Sequence, residues 1–440
     1  MHTGRSCLFL FLFAIAIGLT SPAEAQSTYY VRAGATGSND GSNWTNAYTA
    51  LPPTLQRGAT YYIADGAYRC YTFNDAESGT TRITIKKATA ADHGTSTGWL
   101  DTYGDGQAII TQTIDRCWNV QTGYWTIDGN GPVGTYGFKF VATVGDPIPP
   151  PGNRILSLGV GIAAVLNNIT VRSVEFDGAD IKFVDAIGLN QLSGLYMSNI
   201  KVRNIEDDAV EGCHPCTNAT FEYFDMDDWT NANTVESHPD AFDLYKLAGT
   251  ATFRYNRIDH ASQHYFFATS AQRIDIYGNV SCSSDGDVGD GGPKGVAARS
   301  TATMGPFNIF NNTWANLDIG FSLASGHTGT ASNNIFYNIS ETLKFGGVAH
   351  TYNWYFNTPA VTEATKQTGT RNPFVNAIAC ADLRLTAATD AGDSGIGSAY
   401  RTDLEGVTRG ADGVWDRGAY EHAGQPTEAP APPRNLRILR

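Results

Sequence analysis

Beyond residue 25 the chain has no uninterrupted apolar stretch approaching about 18 residues, so nothing there reads as a membrane-spanning helix. Basic residues are scarce: 30 Lys and Arg stand against 43 Asp and Glu, a formal charge of −13. A nucleic-acid partner needs a basic face, and this balance argues against one. A polyanionic ligand would need a local cationic patch or a bridging metal. Helical 3.6-residue periodicity is almost absent as well, which points away from helical architectures.

What is present begins with a secretory leader. His2 and Arg5 precede an apolar stretch from Cys7 to Leu19, and Ala23 to Ala25 supply small residues for cleavage. Residues 1–25 are therefore expected to be removed and the protein exported, to the periplasm or the medium, without a membrane anchor. Six cysteines follow the leader: Cys70, Cys117, Cys213, Cys216, Cys282 and Cys380. An even number in an exported chain predicts disulfides, with Cys70–Cys117 and Cys213–Cys216 as the expected pairs. The Cys-His-Pro-Cys spacing of the second pair is shared with redox motifs, but no βαβ context surrounds it, so a structural bridge is expected.

The 47 glycines, many asparagines and short β-branched or aromatic runs predict an all-β chain. Short strands ending in a turn-forming Asn or Asp recur around Asp177, Asn199, Asp225, Asn256, Asn279, Asn312 and Asn334, spaced by 22 to 33 residues. Such spacing predicts the turns of a solenoid. Asn and Asp tolerate the left-handed backbone of a tight corner, and stacked asparagines can ladder from coil to coil. "RITIKK", "AIITQTI" and "YWTIDGN" supply earlier coils, and Gly145 to Asn153 reads as a loop.

With these features the chain resembles secreted right-handed parallel β-helix proteins, the pectate-lyase-like architecture of many polysaccharide lyases and some glycoside hydrolases. Tyr29 to Leu51, "YYVRAGATGSNDGSNWTNAYTAL", looks like the opening of such chains, a cap over the first coil. Asn372 to Glu421, ending "DLEGVTRGADGVWDRGAYE", looks like their closing segment. The resemblance implies a single β-helix over residues 26–423, followed by a Pro-rich linker over 424–440 whose "PPRNLRIL" resembles the start of a fibronectin-type module.

Parallel strands in successive coils lie about 4.8 Å apart, so equivalent residues form columns. Five strands align on the inward residues Val210, Phe242, Phe266, Val296 and Phe321. Two positions earlier stand Asp208, Asp240, His264, Lys294 and Ile319. One position later stand Glu211, Asp243, Phe267, Ala297 and Ser322, expected to face outward with Ala241 and Tyr245. Asp208 to Lys294 would span about 14 Å, the length of a few sugar rings.

Carboxylates about 5 Å apart repel each other, so one takes up a proton or the group binds a cation such as Ca²⁺. Asp208, Glu211, Asp240 and Asp243 are the expected calcium ligands. Lys294 is the expected base and Arg299 its partner, with Asp208, Asp240 and His264 beside them; His238, Tyr245 and Lys246 are expected substrate contacts. A cation that neutralises a sugar carboxylate lets a nearby lysine or arginine remove the adjacent proton. This is β-elimination, which the resemblance implies for an acidic polysaccharide acted on by a monomer. A hydrolase would use the same carboxylates as acid and base. The order acid, acid, His, Lys loosely resembles the polygalacturonase-like hydrolases, although their Asn-Thr-Asp, Gly-His-Gly and Arg-x-Lys strings are absent. "HPD" at His238 to Asp240 faintly resembles alginate epimerases. A non-catalytic glycan-binding surface protein is the third possibility.

Three further features have simpler readings. His260 and His264 share a spacing with helical zinc sites but lie on a turn into a strand. Ser284 to Gly292 is acidic without an EF-hand pattern. Asp207, Asp225, Asp227 and Asp228 read as solubilising charges, whereas Tyr245, Trp229 and Tyr265 are candidates for stacking on sugars.

Overall fold

A computed structural model describes residues 27–145, 153–181, 184–227, 239–269, 272–283, 292–299 and 304–422. The leader, Asp228, Trp229, His238, most of the 145–153 and 284–292 loops and the Pro-rich tail lie outside them.

The β-branched and aromatic runs form a single 30-stranded sheet whose pairings are parallel, and the only helices among the described residues are single 3-10 turns. Among the described residues this sheet contains no hairpins. Each strand instead pairs with one that returns a coil later. One series runs through Thr60–Ile63, Ile83–Lys87, Trp125–Asp128, Ile169–Ile181, Leu192–Ile205, Cys216–Asp227, Phe242–Arg254 and Arg273–Tyr277. A second runs through Asn153–Leu158, Val184–Leu189, Val210–Gly212, Phe242–Arg254, Gln263–Thr269, Lys294–Ala298 and Ile319–Ser322. Phe242–Arg254 belongs to both, so it turns a corner between two faces. The arrangement is consistent with a β-helix solenoid.

Stacking holds the coils together. Inward side chains meet their equivalents one rung away: Phe242 stacks on Tyr265 at 5.4 Å between ring centres, and Phe221 on Phe253 at 5.1 Å. Each such ring, fully buried, contributes about 2 kcal/mol by leaving water.

At one corner the register brings Ser173, Asn199, Tyr223, Tyr255, Gly278, Asn311, Asn333 and Tyr352 into a column, all with φ between 52° and 66°. The next position inward carries an asparagine ladder. The side-chain oxygens of Asn279, Asn312, Asn334 and Asn353 accept the backbone N–H of Asn256, Asn279, Asn312 and Asn334, at 2.8 to 3.0 Å. Glu363 ends it, accepting from the backbone and side chain of Asn353. The sequence alignment is corrected for the earlier coils: the ladder position there is apolar, Val174, Ile200 and Phe224, and Asn199 belongs to the left-handed column. Asp177 and Asp225 fall three and one positions beyond Val174 and Phe224.

Disulfides join Cys70 to Cys117, Cys213 to Cys216 and Cys282 to Cys380. The last ties the closing segment to the coils, where Phe374–Asn376 pairs antiparallel with Asp382–Leu385. Beyond it the chain returns along the outside, with Tyr255 bonded to Thr402 and Asn311 donating to the Asp416 carbonyl. Among the described residues no helix is long and apolar enough to cross a membrane.

Candidate functional site

The second strand series presents an acidic ladder. Arg154, Asp185, Asp208, Asp240, Gln263 and Lys294 occupy one register position on six successive rungs. Hydrogen bonds link the rungs as well as the backbone does. The Asp208 N–H donates to Asp185 Oδ1 at 3.3 Å, the Asp240 N–H to Asp208 Oδ1 at 3.0 Å, and Gln263 Nε2 to Asp240 Oδ2 at 2.9 Å. Asp208 and Asp240 are adjacent, as the alignment expects, and Glu211 stands beside Asp243 in the next outward column.

Five expectations fail at the corner that precedes these strands. Gln263, not His264, follows Asp240 in the column. His264 falls in register with Ala209, Ala241, Gly295 and Gly320, a column that faces the interior: a Cβ on Gly295 would meet Trp314 at 2.8 Å, and one on Gly320 would meet Leu343 at 2.3 Å. Ala241 is therefore core rather than outward, and His264 is wholly buried. The same one-residue shift puts Phe266, not Phe267, beside Asp243, and Tyr265, not Phe266, beside Phe242. Tyr265 is buried against Phe242 and is no sugar platform. The shift follows from the anchor, which is Tyr265 and not Phe266, and Ala241 is misplaced because Ala241 and Phe242 are consecutive core residues where the chain turns.

The acid cluster is larger than the sequence indicates. Carboxylate oxygens of Asp185, Asp207 and Asp208 all lie within 4.8 Å of one another. Asp207 thus belongs to the cluster. Burial first, then repulsion from Asp207 and Glu211, drives the Asp185 carboxyl well above the carboxylate range. Burial, followed by Asp207, Asp240, Asp243 and Asp185, does the same to Asp208. A set of hard oxygen donors on neighbouring rungs suits Ca²⁺. Glu211 does not belong to that set: it is ion-paired to Arg154 Nη2 at 2.5 Å, and Arg154 Nε lies 3.7 Å from Asp185 Oδ2.

Around the cluster, Tyr245 faces outward beside Asp243, and burial together with that carboxylate keeps its hydroxyl protonated. His214, held between Cys213 and Cys216, stacks on the Tyr245 ring at 5.1 Å. Lys246 is exposed at the end of this run, its N–H bonded to the Cys213 carbonyl. Lys294 is partly exposed on the ladder two rungs beyond Asp240. Arg299 is exposed, its guanidinium 5.7 Å from the ring centre of Phe266.

Sequence reasoning missed Asp185, Asp207, Arg154 and His214. Asp185 carried a signal, because Asp-Ala followed by an apolar residue recurs at Asp185, Asp208 and Asp240. Arg154 carried none. Comparison with known proteins finds no matching family model and no matching curated protein.

Proposed function

We propose that the protein is a secreted right-handed parallel β-helix enzyme of polysaccharide breakdown, a lyase that cleaves a uronic-acid-containing glycan by β-elimination. The observation that supports this best is the group of three carboxylates within 4.8 Å, Asp185, Asp207 and Asp208, with Asp240 on the next rung and Lys294 two rungs further. Asp185, Asp207, Asp208 and Asp240 would hold a calcium ion, which supplies a positive charge to neutralise the sugar carboxylate. Lys294 takes the proton from the carbon next to that carboxylate. The electron pair forms the carbon–carbon double bond, and the bond to the glycosidic oxygen breaks, its pair staying on that oxygen, which takes a proton from water. Arg299 over Phe266, with Lys246, binds further acidic sugars, and the His214–Tyr245 pair offers a flat surface and a protonated hydroxyl at the acidic end.

A glycoside hydrolase is the second reading, favoured by the elevated Asp185 and Asp208 carboxyls. A carboxyl whose protonated form is favoured by burial is the general acid that hydrolysis needs, and neighbouring carboxylates on the same face could serve as its partner. Incubation with pectate, alginate, glucuronan and glycosaminoglycan, with calcium and with chelator, separates the two. Ultraviolet absorbance of an unsaturated uronate on one polymer, lost on chelation, is the expected result. New reducing ends without that absorbance would replace the lyase by the hydrolase, and no product from any polymer would leave a binding protein.

A further inference from the structure

The first coils enclose a cavity of about 200 Å³ that the acidic ladder does not use. Trp118, in its wall, is linked through Leu156 and Ile187 to Val210, so the cavity stands three rungs, about 14 Å, from the rung of Asp208. Leu51, Ile63, Ile110 and Phe138 form apolar walls, the last three of them buried. A cavity walled in this way stays dry, and about 150 Å³ is enough for one benzene ring.

Aromatic rings dominate the remaining lining. Tyr68, Tyr71 and Trp118 border the space with Phe138, and edge-on contact with a further ring suits all four. The tyrosines are fixed as walls, because the Tyr68 hydroxyl donates to the Ala64 carbonyl at 3.0 Å and the Tyr71 hydroxyl to the Pro52 carbonyl at 2.7 Å. Trp118 is held edge-on by Phe73 at 5.1 Å and Phe140 at 5.0 Å, directly after the Cys70–Cys117 disulfide.

Three polar groups break the apolar pattern. The Trp118 indole N–H is buried and has no acceptor among the described residues. Gln112, two positions beyond Ile110 on the same buried face of its strand, also has both amide atoms buried and unpartnered. A buried donor without an acceptor is costly to keep, which a ligand oxygen would relieve. At the mouth Arg69 is exposed, and no acid among the described residues pairs with it.

We propose that this cavity is a binding site for a small aromatic carboxylate: one ring between the aromatic walls, its acid group at Arg69, and a ring oxygen accepting from the Trp118 indole. The volume limits the ligand to one ring, the walls select an aromatic body, and the unpaired guanidinium selects an anion. The site is independent of the polysaccharide chemistry proposed for the acidic ladder.

Calorimetric titration of the full mature chain with 4-hydroxybenzoate, 4-hydroxybenzyl alcohol and acetate tests this. The aromatic acid is expected to bind with one equivalent, the neutral alcohol about fivefold more weakly, and acetate not at all. With the indole nitrogens isotopically labelled, the acid should shift one of the eight tryptophan N–H resonances, the one missing from Trp118→Phe. Arg69→Met should lower the acid to the affinity of the alcohol and leave the alcohol unchanged. Ala50→Phe, at an exposed position of the lining, should block both, and it decides the matter if Trp118→Phe fails to fold. Equal affinity of acid and alcohol for the wild type, or an unchanged acid affinity in Arg69→Met, would overturn the carboxylate ligand. Undiminished binding in Ala50→Phe, or no binding of either aromatic probe to the wild type, would overturn the cavity as a site.

Discussion

The Asp208 carboxylate accepts the backbone N–H of Asp240 at 3.0 Å, so two buried acids on adjacent rungs are fixed relative to each other by the sheet's own register. Their spacing is a property of the backbone, and substitution can change the charge without changing the place. Asp208→Asn keeps an oxygen for the Asp240 N–H and removes one of several mutually repelling carboxylates. Product formation is expected to fall at least about a hundredfold while the melting temperature rises by a few degrees. A variant that melts higher and still turns over at the wild-type rate would remove Asp208 from the chemistry.

Lys294→Ala is expected to abolish elimination, a loss of at least about a hundredfold, with little change in stability because the side chain is partly exposed. Binding of the polymer, followed by retention on an affinity gel, should weaken far less. Equal losses of binding and turnover would make Lys294 a substrate contact and not the base.

Stability should depend on pH through His264. Burial, with nearby His260, depresses its imidazole to about 3 from 6.5, so the folded protein holds it neutral while the unfolded chain protonates it below 6.5. The contribution is therefore present above pH 6.5 and is lost as pH falls towards 3, at up to about 1.4 kcal/mol per pH unit. The raised carboxyls of Asp185 and Asp208 act in the opposite sense, destabilising at neutral pH and relieved by acid. Denaturant titrations of the wild type and His264→Phe isolate the histidine, since both proteins share the carboxyls. The difference between them should shift in favour of the variant between pH 6.5 and 5, and a constant difference would contradict the depressed imidazole.

Asn312 sits mid-ladder, accepting from Asn279 and donating to the Ile276 carbonyl and to Asn334. Asn312→Ala leaves buried partners on both neighbouring rungs and is expected to cost about 3 kcal/mol in urea unfolding. A cost below about 1 kcal/mol would mean that water replaces the amide.

The parts of this structure that repeat were legible in the sequence, and the parts that break a repeat were not. Val210 over Phe242 and Val296 over Phe321 follow from apolar alternation, and with them come Asp208 beside Asp240 and Lys294 beside Ile319. Alternation assigns parity only along a straight strand. Where Ala241 and Phe242 both face the core, alternation gives Ala241 the wrong face, and on the next strand the anchor is Tyr265 and not Phe266, which puts Gln263 where His264 is expected. Phe266 was also the more conspicuous anchor in "QHYFFA" because it is aromatic and apolar, whereas Tyr265 fills the interior position with its hydroxyl near Asn256 and Ser281. Arg154 lies beyond any pattern of this kind. Its reach to Glu211 crosses Gly188, where a Cβ would lie 2.1 Å from Arg154 Cδ, and a contact made across a missing side chain leaves no residue type to search for.

The asparagine ladder has a direction. From Asn256 to Asn353 each rung offers its N–H to the amide oxygen of the following one, and only the Glu363 carboxylate ends the series. A coil copied and inserted between Asn312 and Asn334 would find a donor waiting on one side and an acceptor on the other. The same copy placed before Phe224, whose side chain is apolar, would find no acceptor for its own N–H, although Phe224 itself donates to Asn256. The chain is thus built to lengthen by duplication in its second half, away from the acidic rungs, so that the protein's reach along a polymer can evolve separately from the place where it acts.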